Sequence, residues 1–74
     1  MENNIPPDAV NKLSDKLEQV LILVAEGATN AEIGEKLFLS KRTIEKLRAD
    51  LIIITRTRNT ASLITFAFRN GLIV

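Results

Sequence analysis

The sequence predicts an all-α fold, a compact four-helix domain with a helix-turn-helix at its centre. Three observations carry that expectation. Four N-cap residues, Ser14, Thr29, Ser40 and Asn59, each precede an apolar pattern of helical period. Two of these starts, Thr29 and Ser40, follow so closely that their helices must be short and must cross steeply to share a core. The chain has 74 residues and shows no internal repeat or low-complexity tract, so it has room for one small domain.

Residues 1–12 read as an N-terminal arm. Pro6-Pro7 stops any helix before it, and the following Asp8 to Asn11 can form one loose turn. Residues 13–74 read as the folded domain. Its first helix follows Ser14, presents Leu17, Val20, Leu21 and Val24 inward, and ends at Gly27. Thr29 and Glu32 form a T-x-x-E capping box for the second, in which Ile33 and Leu37 share a face and Gly34 allows another helix to approach. Ser40 caps the third, expected from about Lys41 to Thr55, with Ile44, Leu47 and Leu51 as its apolar stripe. The run Leu51 to Thr55 has strand propensity, but its place after a well-capped periodic helix favours helix. A polar link, Arg56 to Asn59, leads to the last helix, whose inner face is expected at Leu63, Ile64, Ala67 and Phe68 and whose end is at Gly71.

Composition excludes several kinds of chemistry. There is no cysteine and no histidine, which removes disulfides, thiolate metal sites, the usual general base and the usual pH switch. The carboxylates are scattered or serve as caps, and the three glycines lie too far apart for a phosphate loop. No enzyme, cofactor, metal or small-molecule ligand is expected. The N-terminus is no signal peptide and the longest apolar run, Val20 to Ala25, is far too short for a membrane span, so a cytoplasmic location is expected.

Net charge is only +1, but it is unevenly distributed. Residues 1–40 sum to −4, residues 41–58 to +4, and Arg69 adds one more positive charge. The positive charge therefore sits on the second helix of the helix-turn-helix and just beyond it, the footprint of a phosphate-binding surface. A charged, merely solvated helix face is the plainer alternative. With Ile44, Leu47 and Leu51 inward, a 100° step puts Arg42, Glu45, Lys46, Ala49 and Asp50 outward as base-reading candidates. Glu45 can accept from cytosine or, more simply, pair with Arg42 or Lys41. The phosphate candidates are Thr29, Asn30, Ser40, Lys41, Thr43, Arg48, Arg56 and Arg58. Ser40 and Thr43 can cap the helix and meet a phosphate at the same time.

Leu13-Ser14, Val20-Leu21, Glu26-Gly27, Thr29-Asn30, Glu32-Ile33-Gly34, Leu37, Leu39-Ser40 and Thr43-Ile44, with the closing Asn59 to Ile73 stretch, resemble the DNA-binding domain of the LuxR family, also called GerE-like or NarL/FixJ C-terminal. The likeness covers about residues 13–74. It implies a small bacterial transcription regulator that binds duplex DNA through the major groove as a homodimer, of the stand-alone GerE type. It also implies a dimer contact on the last helix, here at Thr65, Phe66 and Arg69. This chain departs from the family pattern at Lys16-Leu17-Glu18-Gln19, at Ala31 where lysine is common, at Leu47 where histidine is common, and at Ile54-Thr55-Arg56. Leu17, Ile22, Ile53 and Ile54 then add apolar side chains that either cover a surface or rearrange the core. This surplus, the low net charge and Ala31 support the first of two other readings. It is a protein-interaction module of the same fold that binds another regulator with weak or no DNA affinity; the other, weaker, is a sigma-region-4-like fragment that contacts RNA polymerase.

Overall fold

The computed structural model describes residues 13–74 and is all-α. The expected arm and loose turn lie outside the described residues. Four helices follow in order, α1 (Asp15–Ala25), α2 (Asn30–Leu37), α3 (Lys41–Thr55) and α4 (Thr60–Arg69). The strand-prone run at residues 51–55 is helical to its end.

Each helix starts where a side chain satisfies free amides. Ser14 Oγ accepts from the Leu17 N–H at 3.2 Å and Ser40 Oγ from the Thr43 N–H at 3.0 Å. At α2 the capping box is complete, with Thr29 Oγ1 accepting from the Glu32 amide at 3.1 Å and Glu32 Oε1 accepting from the Thr29 amide at 2.8 Å. At α4 Asn59 and Ser62 make the same reciprocal pair, at 2.9 and 3.1 Å. Sequence reading identified Asn59 but not Ser62 as its partner, because the usual signature has Glu or Gln there.

All four helices close on a residue in the left-handed region, namely Gly27, Phe38, Arg56 and Gly71. The amide beyond each reaches back to a carbonyl of the last turn, as Ala28 does to Leu23, Leu39 to Gly34, Thr57 to Ile52 and Leu72 to Ala67. Glycine takes this conformation without cost; Phe38 and Arg56 do not.

The core is made of Leu17, Val20, Leu21 and Val24 of α1, Ile33 of α2, Ile44 and Leu51 of α3, and Leu63 and Ala67 of α4. α3 packs against each of the other three helices and is the central element. Thr55 is fully buried, and its hydroxyl donates to the Leu51 carbonyl at 2.7 Å and lies 2.9 Å from the Thr57 hydroxyl. That pairing makes a hydroxyl acceptable where water is excluded.

Two expectations change. Gly34 is approached by the turn of its own helix-turn-helix, because a Cβ there would run into the Leu39 carbonyl oxygen. Leu17 is buried on the expected inner face of α1, so of the two readings of the apolar surplus it takes the core. On α4 the buried line is Leu63, Phe66 and Ala67, with Phe66 only 2% exposed and Phe68 65% exposed. This reverses the expected roles of the two phenylalanines, since the helix is turned by about one residue from the expected phase.

Candidate nucleic-acid interface

α3 buries Ile44, Leu51 and Thr55 and so turns the opposite side to solvent. Arg42, Glu45, Lys46 and Ala49 are exposed on that side, and Ile53, 72% exposed, continues the line toward the C-terminal end. Asp50 lies at the edge, its side chain 35% exposed. Lys46 Nζ and Asp50 Oδ2 are 3.3 Å apart, one turn from each other along the helix. This is the ion pair found on the face among the described residues; the expected partnership of Glu45 with Arg42 or Lys41 is not formed.

The helix presents its N-terminal turn as well. Ser40 Oγ accepts from the Thr43 amide and donates to Thr43 Oγ1 at 2.9 Å, so its capacity is used within the cap. Thr43 Oγ1 accepts there and keeps its own proton to give. Lys41 flanks this turn and is exposed. Thr29 is exposed at the start of α2, engaged in its capping box. Arg56 and Arg58 are both exposed on the link that follows α3.

Arg48 is placed differently from its expected role as an edge contact to the DNA backbone. Its Nη1 donates to Asn30 Oδ1 at 2.8 Å and its Nη2 to Thr60 Oγ1 at 2.9 Å. The guanidinium is half-buried and ties the middle of α3 to the first residues of α2 and α4. Asn30, expected to meet phosphate, gives its carbonyl oxygen to this bridge. The partners lie 18 and 12 residues away along the chain, beyond the reach of spacing arguments.

An apolar groove of about 610 Å³, bordered by α4 and α1, lies away from the residues of α3. Ile22, Ile64, Phe68, Leu72 and Ile73 line it, with Thr65 and Arg69 at its rim. Thr65 and Arg69 are exposed, whereas Phe66, the third expected contact, is buried. Ile54 is half-buried and packs on the core, so Ile22 and Ile53 are what remains exposed of the apolar surplus. Among the described residues no helix is long and apolar enough to cross a membrane.

A capped, exposed, partly basic helix set across a shorter one by a tight turn defines a helix-turn-helix DNA-binding domain. Comparison with known proteins agrees. Residues 11–67 match the GerE family, the bacterial regulatory proteins of the luxR family. The chain is 45% identical over 56 residues to a probable transcriptional regulator, ycf29, of Cyanophora paradoxa, an alignment that covers 76% of this chain and 27% of that protein. It is 36% identical over 64 residues to a putative transcriptional regulator of Pseudomonas aeruginosa, covering 86% of this chain and 31% of the relative. Transcriptional regulatory protein LiaR of Bacillus subtilis is 31% identical over 72 residues, covering 97% of this chain and 33% of LiaR. The chain thus spans about a third of the length of these relatives, and it belongs to the LuxR family of helix-turn-helix transcription regulators.

Proposed function

We propose that this domain binds duplex DNA by laying the exposed face of α3 in the major groove, and does so as a homodimer. The observation that carries the reading is the face of α3 itself. Arg42, Lys46 and Ala49 are exposed together, on a helix whose opposite side is locked into the core by Ile44 and Leu51. Arg42 and Lys46 suit guanine acceptors and Ala49 suits the thymine methyl, while Glu45 and Asp50 accept from cytosine. Lys41, Thr43, Thr29, Arg56 and Arg58 surround this face as contacts to the backbone. The exposed side of α4, at Thr65, Phe68 and Arg69, is the proposed dimer contact.

The test is binding of random duplex DNA followed across salt concentration. With four to six phosphates neutralised, log K should fall against log salt with a slope of roughly −4 to −5. No binding at low salt would overturn the reading. It would favour the other one, a module that engages another regulator or RNA polymerase, which the apolar groove between α1 and α4 supports.

A further inference from the structure

We propose that Lys46 and Asp50 act as one electrically neutral unit that reads a single G·C base pair, an inference that rests on the reading of α3 as the major-groove helix. On the outer face of α3, Arg42, Lys46, Ala49 and Ile53 form a stripe, and the two carboxylates, Glu45 and Asp50, stand on opposite edges of it. A helix in the major groove has a phosphate backbone along each side, so a carboxylate at each edge opposes indiscriminate binding. The edges therefore work against affinity unless they meet a donor.

The pair already has the geometry to meet one. Lys46 Nζ lies 3.3 Å from Asp50 Oδ2. The ammonium has three donors, of which Asp50 takes one, and the carboxylate keeps its second oxygen as an acceptor. The major-groove edge of a G·C pair offers two neighbouring acceptors, N7 and O6, and then the cytosine amino donor. Two lysine N–H groups and one carboxylate oxygen complement that row without the ion pair having to separate. An A·T pair alternates acceptor, donor and acceptor along the same edge, so in the same register the second lysine N–H faces a donor and the carboxylate oxygen faces an acceptor. On random sequence the pair stays closed and contributes no net charge toward phosphate.

The experiment selects sites from randomised duplexes with the purified full chain. It then titrates the selected duplex, the same duplex with its preferred G·C pair changed to A·T, and a random duplex. Wild type, Asp50→Ala, Lys46→Ala and the double variant are compared, with helicity checked by circular dichroism, since both side chains are solvent-accessible. Both single variants should lose about tenfold of the preference at the same base pair, and the double variant should lose no more than either. Asp50→Ala should also bind random duplex more tightly, with a salt slope steeper by about 0.9, as Lys46 turns to a phosphate. Losses at different base pairs, an additive double variant, a preference retained in Asp50→Ala, or unchanged random binding would each overturn the proposal while leaving DNA binding by α3 intact. Absence of duplex binding by the wild type and by all variants would overturn both.

Discussion

Gly34 and Phe38 set the turn between the two helices of the motif, and they do so from opposite sides of one constraint. Gly34 is buried where the Leu39 carbonyl closes on it, so a methyl group there must push the turn away. Gly34→Ala should lower stability by about 1–3 kcal/mol, the usual range for forced overpacking, and should misplace Ser40 and with it the start of α3. Phe38 holds φ 60 with its ring 93% exposed, so it bears the left-handed conformation with little packing in return. Phe38→Gly should therefore stabilise the domain by about 1 kcal/mol. Thermal unfolding reads both, with a shift of about 4–8 °C per kcal/mol for a domain of this size. A lowered midpoint for Phe38→Gly would show that the ring makes contacts that matter more than the backbone.

At the scale of the helices, Arg48 and Arg58 separate two kinds of basic residue that look alike in sequence. Arg58 is exposed on the link after α3, and Arg58→Ala should weaken binding to all duplexes alike and reduce the salt slope by about one. Arg48 bridges α2, α3 and α4, so Arg48→Ala should leave the slope unchanged and instead lower stability by about 1–2 kcal/mol, seen in denaturant unfolding. A reduced slope with unchanged stability would return Arg48 to the DNA surface. The contrast marks how far the sequence could be read. Helix starts were legible because a cap and its amide lie three residues apart, as Ser14, Thr29, Ser40 and Asn59 do. The outward face of α3 was legible because Ile44 and Leu51 fix its phase. The end of α3 at Thr55 was legible from the polar link that follows it. The end of α2 was not, since Phe38 takes the place in which glycine would have signalled the stop. The phase of α4 was not either: Leu63, Ile64, Ala67, Phe68 and the true line Leu63, Phe66, Ala67 both have helical period, and two phenylalanines two positions apart satisfy either one.

For the molecule as a whole, the two surfaces lie on different helices and have different chemistry. α3 turns charged side chains outward, whereas α1 and α4 border an apolar groove that includes Ile22 and Phe68. A domain this small buries a limited fraction of its surface, so association through such a groove stabilises it appreciably. In the proposed two-fold dimer the same patch meets its copy, which sets the two α3 helices about one turn of DNA apart and favours an inverted repeat. The corrected phase of α4 now chooses the probe. Phe66→Asp places a charge at a position 2% exposed and should unfold the chain, as circular dichroism would report. Phe68→Asp places the charge at a position 65% exposed, so the helices should persist while the dimer is lost. Sedimentation should then give a monomer, and affinity for an inverted repeat should fall toward that for a single half-site. A wild type that sediments as a monomer at high micromolar concentration, yet binds the inverted repeat as tightly as a Phe68→Asp variant does, would remove the dimer and leave the groove for a different partner.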